Sequence, residues 1–304
     1  MSDIKLFRLS PSGPSEIAGA SAVLEKSLQT LIETHLEAFL GVRFLATEYT
    51  TGRDHGRRMD TLGIDENGCP VIIEYKRSSN ENVINQGLFY LDWLMDHRKD
   101  FEWLVMEKYG KDAAASVEWS SPRLLCIAGD FTKYDRHAVK QMNRTIELIR
   151  YRRYGEDLLL LDLVNSPSAP SADTPVVSPG IGVTSRVRTV SDSLAQADQD
   201  LSDRYEALKA WLLALGDDVQ FKVLKHYFAF ARLKNFACVE VQSKTRNLLV
   251  YVKVDPKTID PIPGITRDVS TIGHYGTGDL EITLRSRADL EKVKSLLEKS
   301  YEAS

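Results

Sequence analysis

Two domains of different construction are predicted. The first is an α/β layer with helices on both faces, the second an α+β domain with an antiparallel sheet. Three observations predict them. At 304 residues, the chain has room for two domains of about 100–200 residues each. Composition shifts sharply over Asn165–Asp200, which holds four of the eleven prolines and no aromatic residue, with seven serines between Ser166 and Ser193. Such a segment buries too little apolar surface to offset its ordering entropy, so 165–200 is expected to be a flexible linker. Before it, helical and strand periodicities alternate; after it, strands cluster between two helices. The expected domains are therefore 1–164 and 201–304.

The elements follow in order. Val23, Leu24, Leu28, Leu31, Ile32, Leu36 and Leu40 form one apolar stripe and predict a helix over Ser21–Leu40, ended by Gly41. Arg43–Thr50 reads as a strand and Thr51–Arg58 as a basic loop. Met59–Asp65, the turn Glu66-Asn67-Gly68 and Val71–Lys76 read as a β-hairpin. A helix over Glu81–Asp96, a strand over Leu124–Ala128, a helix over Tyr134–Asn143 and a strand over Leu158–Val164 complete the domain. In the second, Ser202–Leu215 is a helix with Ser202 as its cap and Gly216 as its stop. Val219–Phe230 fits helix or strand; Ala237–Val241 and Asn247–Val254 read as strands. Asp268–Leu284 resembles a hairpin, and Arg287–Tyr301 is an amphipathic helix.

Composition excludes several classes. With 43% hydrophobic and 27% charged residues the chain is globular, and no apolar run approaches the length of a bilayer span. No secretory signal is evident. Cys69, Cys126 and Cys238 lie far apart with no CxxC, so a zinc ribbon and a dithiol site are excluded and a reducing cytoplasm is expected. The six histidines have no metal-ligand spacing, and no P-loop is present. Net charge is −4, all of it in residues 1–165. A nucleic-acid partner would need a local basic face.

The chemistry concentrates in the hairpin. Glu74 and Lys76 point to one face of their strand. A three-residue loop with Gly68 left-handed pairs Asp65 with Cys69, which puts Asp60 opposite Glu74 on that face. A two-residue loop would pair Asp60 with Tyr75 and separate the carboxylates. Two close carboxylates repel unless a cation intervenes. A hard divalent cation takes carboxylate oxygens and keeps waters for a substrate phosphate, and it lowers the pKa of a water. Lys76 could position that water or stabilise charge on phosphorus oxygens. Gln86 and Tyr90, at i and i+4, share a face of the next helix.

Asp60, then Glu74-Tyr-Lys76, then Gln86-x-x-x-Tyr90, within RRMDTLGIDENGCPVIIEYKR, resembles the PD-(D/E)XK nuclease superfamily. It is most similar to the catalytic half of NucS-type endonucleases, over about Leu24–Val164. The resemblance implies a restriction-endonuclease-like mixed sheet flanked by helices and dependence on Mg²⁺ or Mn²⁺. It also implies Asp60, Glu74 and Lys76 as the catalytic set, with Gln86 and Tyr90 as the extra motif of the RecB-like branch. A first-helix carboxylate joins the metal in that family; Glu25 is the choice by distance and Glu33 the runner-up. Met59 stands where the superfamily's name has Pro. Barely twenty residues precede the first helix, so the DNA-binding domain that precedes the NucS catalytic half is expected to be missing. The C-terminal block resembles an uncharacterised bacterial domain found behind such nucleases.

Arg53, Arg57 and Arg58 crowd the loop into Asp60, and Arg136, Lys140 and Arg144 recur every four residues. Seven basic residues face two acids over Lys133–Arg153. This stripe is the expected phosphate-contacting surface. DNA is the expected partner, with RNA the alternative; a second copy of the chain is a further candidate partner, and no membrane is expected. The expected activity is metal-dependent phosphodiester hydrolysis, in bacterial genome maintenance or defence. A non-catalytic nucleic-acid-binding or partner-docking module on the same scaffold is the alternative. His274-Tyr-Gly-Thr-Gly-Asp279 reads as a hairpin turn or a ligand loop.

Overall fold

The computed structural model of the chain describes residues 4–20, 25–52, 58–76, 83–165 and 189–304. The chain divides into two compact units, Met1–Pro167 and Ser168–Ser304.

The first unit is a mixed α/β layer. Its elements are β1 (Leu6–Ser10), β2 (Gly13–Ile17), β3 (Gly19–Ala20), α1 (Glu25–Thr34), α2 (Leu36–Leu40), β4 (Val42–Thr50), β5 (Arg58–Asp65) and β6 (Pro70–Lys76). Then come α3 (Val83–Asp96), α4 (Arg98–Tyr109), α5 (Lys111–Ala115), β7 (Arg123–Ala128), α6 (Lys133–Lys140), β8 (Thr145–Tyr154) and β9 (Leu158–Asn165). The main sheet runs β3-β8-β7-β6-β5-β4, with β9 also beside β8. The β6, β7 and β8 strands are mutually parallel and the other pairings antiparallel. Val71, Ile72 and Ile73 are fully buried, as a central strand covered on both faces requires.

The hairpin adopts the expected register. The Asp65 amide donates to the Cys69 carbonyl at 2.9 Å and the Gly68 amide to the Asp65 carbonyl at 3.0 Å. Gly68 is left-handed at φ +78°, which closes a three-residue loop. Thr61 then faces Ile73 and Leu62 faces Ile72. Leu62 and Ile72 pack with Leu124, Ile146 and the apolar side of α3. On the other face, the α1 residue Glu33 accepts a hydrogen bond from Thr61, whose hydroxyl also lies against Tyr75.

Several elements differ from expectation. The first helix bends at His35 into α1 and α2, while Leu28, Ile32, Leu36 and Leu40 stay buried at four-residue spacing. That unbroken stripe conceals the bend. The α4 helix buries only Phe101 and Val105 among polar residues, too thin a stripe to be read. The helix expected to reach Asn143 stops at Lys140, and Thr145–Tyr154 is a buried strand whose charges mask it.

The second unit is α+β. Its helices are α7 (Val190–Ala195), α8 (Gln199–Leu213) and α9 (Arg287–Glu302). The strands are β10 (Gln220–Val223), β11 (Phe228–Ala231), β12 (Asn235–Gln242), β13 (Asn247–Val252), β14 (Thr266–Asp268) and β15 (Leu280–Leu284). They form an antiparallel sheet in the order β10-β11-β12-β13-β15-β14. Leu201, Leu208 and Leu212 of α8 and Leu290, Val293 and Leu297 of α9 share one core with Phe230, Val239, Val250 and Ile282. The expected linker therefore reaches too far: Val190–Ala195 is helical, Thr189 and Asp192 form its capping box, and Val190 is buried. Asp198, not Ser202, caps α8. Residues 166–188 lie outside the described residues. The Val219–Phe230 segment holds two strand pieces. His274–Asp279 is the second half of the connection between β14 and β15, with the His274 ring stacked on that of Tyr251 at 4.2 Å.

Candidate active site

The centre of the sheet forks at Asp60 and Glu74. Among the described residues, pairing of β5 with β6 ends at Thr61 and Ile73. Beyond that point β5 stays with β4, through Met59–Tyr49 and Arg58–Thr50, while β6 stays with β7 through Glu74–Cys126 and Lys76–Ala128. Two carboxylates bridge the fork. The Asp60 amide donates to Glu74 Oε1 at 3.2 Å, and the Tyr75 amide donates to Asp60 Oδ2 at 3.0 Å. Each acid thus accepts from the backbone of the other strand, at a place where ladder bonds are missing. The register puts Asp60, Glu74 and Lys76 on the face that carries α3.

The electrostatics suit a cation. Burial pushes the Asp60 carboxyl above its ordinary value; the Tyr75 amide and the Lys76 ammonium pull it part of the way back, and Glu48 opposes them. Glu74 is fully buried. Beside it on β7, burial and the Glu74 charge push the Cys126 thiol up, so that sulfur stays neutral. Two carboxylates offer hard oxygen donors of the kind Mg²⁺ accepts when substrate phosphate and waters complete its shell, and the nearby Lys76 ammonium, which ligates no metal, is left for the phosphate. Among the described residues, no group of three or more His, Cys, Asp or Glu side chains is arranged to hold a metal.

Gly87 sets α3 close to β7: a Cβ there would lie 2.4 Å from Leu124 Cδ1. This contact seats Gln86 and Tyr90. Gln86 Nε2 donates to the Tyr90 hydroxyl at 3.1 Å, and Tyr90 is buried in the core. Glu25 is the first residue of α1, and its side chain lies outside the described residues. Glu33 is a correction. Its carboxylate accepts from Thr61 Oγ1 at 2.6 Å and from Gln29 at 3.0 Å, on the sheet face opposite Asp60 and Glu74. The same alternation that joins those two acids excludes Glu33.

The basic stripe is redistributed. Arg53 and Arg57 lie outside the described residues. Arg58 is exposed and pairs with Glu48 at 2.7 Å. Arg136 is half-buried, with its Nε buried and lacking a hydrogen-bond partner; Lys140 is exposed in the last turn of α6. Arg144 lies beyond the helix, so the three do not form one helical face. Arg150 is buried and pairs with Asp162 at 2.5 Å.

Two features escape sequence reasoning. Glu48, left-handed at φ +49°, holds Lys26 at 2.8 Å and Arg58 at 2.7 Å beside Asp60. Its carboxyl is lowered, first by the Lys26 hydrogen bond. At the other end of the hairpin, Arg123 of β7 binds Glu147 through Nε at 2.7 Å and Nη2 at 2.8 Å, and Asp65 through Nη1 at 3.0 Å. All three are buried. Asp65 Oδ1 also accepts from the Asn67 and Cys69 amides at 2.9 Å, so this cluster shapes the turn that sets the register of Asp60 and Glu74. Charges on separate strands carry no periodic signal before the sheet order is known.

Residues 190–304 match a family described as a domain of unknown function, DUF5655. An uncharacterized protein of Haemophilus influenzae is 29% identical over 304 residues, covering 98% of this chain and 99% of that protein. No solved structure matches.

Proposed function

We propose that the first unit is a divalent-metal-dependent nuclease, of restriction-endonuclease-like fold, that hydrolyses phosphodiester bonds in DNA. The observation that carries this reading is the fork, where Asp60 and Glu74 each accept an amide from the opposite strand. The order of meander, helix, strand, helix and strand, with β6, β7 and β8 parallel, supports the fold assignment. The PD-(D/E)XK-like spacing supports the chemistry.

In this reading Asp60 and Glu74 hold Mg²⁺ or Mn²⁺. The bound ion supplies Lewis acidity toward the phosphate and a water of lowered pKa. Burial raises the Asp60 carboxyl above its ordinary value, a cost that a bound cation would offset. Lys76 presents its ammonium on the same face and stabilises charge on the phosphorus oxygens. Gln86 and Tyr90 form a polar pair on the covering helix that orients the substrate or a ligand.

The test is cleavage of supercoiled, linear and single-stranded DNA, and of RNA, with Mg²⁺ or Mn²⁺. Wild type is expected to cut DNA, and Asp60→Ala and Lys76→Ala to lose at least about 10²-fold in rate. The second reading is a non-catalytic nucleic-acid-binding module on the same scaffold. It predicts nucleic-acid retention that Asp60→Ala leaves unchanged, with no Mn²⁺ binding by calorimetry.

A further inference from the structure

Arg150 stands in the same row of the sheet as Lys76. Lys76 pairs with Ala128 of β7, and Ala128 with Arg150 of β8. Directly paired residues share a face, so Arg150 lies on the face of Asp60, Glu74 and Lys76. Two strand spacings separate the Lys76 and Arg150 backbones by about 9–10 Å. Both side chains are long, and the residue between them is an alanine.

The two buried arginines of this sheet differ in how their donors are used. Arg123 places Nε, Nη1 and Nη2 on carboxylates that are at most 1% exposed, and is spent on structure. Arg150 is only 7% exposed, yet its Nε is buried with no hydrogen-bond partner. Its carboxylates, Asp162 at 2.5 Å and Asp130 at 4.0 Å, are 29% and 48% exposed. Arg150 Nη1 therefore makes no hydrogen bond to either carboxylate, and a charge-assisted bond to an oxyanion would use it.

We propose that Arg150 is a phosphate-contacting residue, which binds a backbone phosphate of the nucleic acid beside the one at Asp60, Glu74 and Lys76. The assignment rests on the nuclease reading for its substrate. Arg150 Nη1, which lies 4.0 Å from the Asp130 carboxylate, donates to the phosphate oxygen.

The experiment compares wild type, Arg150→Gln, Arg150→Lys and Asp162→Asn in the full chain. Three readouts are taken: affinity for a fluorescent DNA oligonucleotide, Mn²⁺-dependent kcat and KM, and melting temperature. Arg150→Gln is expected to weaken binding or raise KM at least tenfold, and Arg150→Lys to recover part of the loss. Asp162→Asn, which breaks the same ion pair but keeps the guanidinium, is expected to stay within threefold of wild type. The proposal is overturned if Arg150→Gln leaves binding and KM unchanged. It is also overturned if Arg150→Gln and Asp162→Asn lower melting temperature and activity equally, since the pair is then structural. Wild type that binds DNA through Arg150 but cleaves nothing with any metal retains this proposal and defeats the nuclease reading. Wild type that neither binds nor cleaves defeats both.

Discussion

At the scale of single residues, Asp60 and Arg123 are two answers to a buried charge. Asp60 is left with a penalty. Its folded carboxyl is raised, so between the ordinary carboxylate value, about 3.9, and the raised one the folded state binds more protons than the unfolded state. Stability therefore falls as pH rises through that window. Asp60→Asn removes the penalty: at pH 7 without metal the variant should melt above wild type, and Mn²⁺ should raise the melting temperature of wild type alone. A variant that melts lower, or that Mn²⁺ stabilises equally, contradicts this account of the site. Arg123 is instead fully compensated by Asp65 and Glu147. Arg123→Met leaves two carboxylates buried without their cation and should cost about 3–5 kcal/mol in chemical denaturation. A loss below about 1 kcal/mol would show that water reaches the cluster.

At the scale of elements, the site depends on a turn and a helix seat. Gly68 is left-handed, and a Cβ there would lie 2.7 Å from the Ser116 carbonyl oxygen. Gly68→Ala should therefore destabilise by about 1–3 kcal/mol and reduce cleavage through a shifted hairpin. Gly87→Ala drives a methyl into Leu124 and should cost about 1–3 kcal/mol. Wild-type denaturation midpoints for either variant would contradict these contacts. The hairpin is legible in the sequence because turn chemistry is local: a three-residue Glu66-Asn67-Gly68 loop permits Asp60 to lie opposite Glu74. Elements whose burial depends on distant partners are not legible. The β8 strand carries Glu147 and Arg150 in its buried stretch, and Arg123 and Asp162 on neighbouring strands help make those charges tolerable. Glu33, the runner-up to Glu25 as first-helix ligand, lies on the other face of the sheet, which a helix stripe alone does not specify.

At the scale of the molecule, a net charge of −4 means that the proposed nucleic-acid affinity would have to come from a few local cations. The logarithm of affinity should fall linearly with that of salt, with a slope near about −0.9 per neutralised phosphate. Replacing Lys140 and Arg144 by Gln should make that slope shallower by about 1 for each phosphate no longer neutralised. An unchanged slope would place the phosphate-binding cations elsewhere. The second unit, with its own core, accounts for the match at residues 190–304 and supplies none of the residues of the proposed nuclease site. The central claim is that Asp60, Glu74 and Lys76 act together with a divalent cation on a phosphodiester. Its most direct test is Mn²⁺-dependent DNA cleavage by purified wild type and Lys76→Ala, matched for fold by melting temperature. The account predicts cutting by wild type that chelation abolishes and the variant lacks; equal cutting by both proteins, or cutting that persists in chelator, would contradict it.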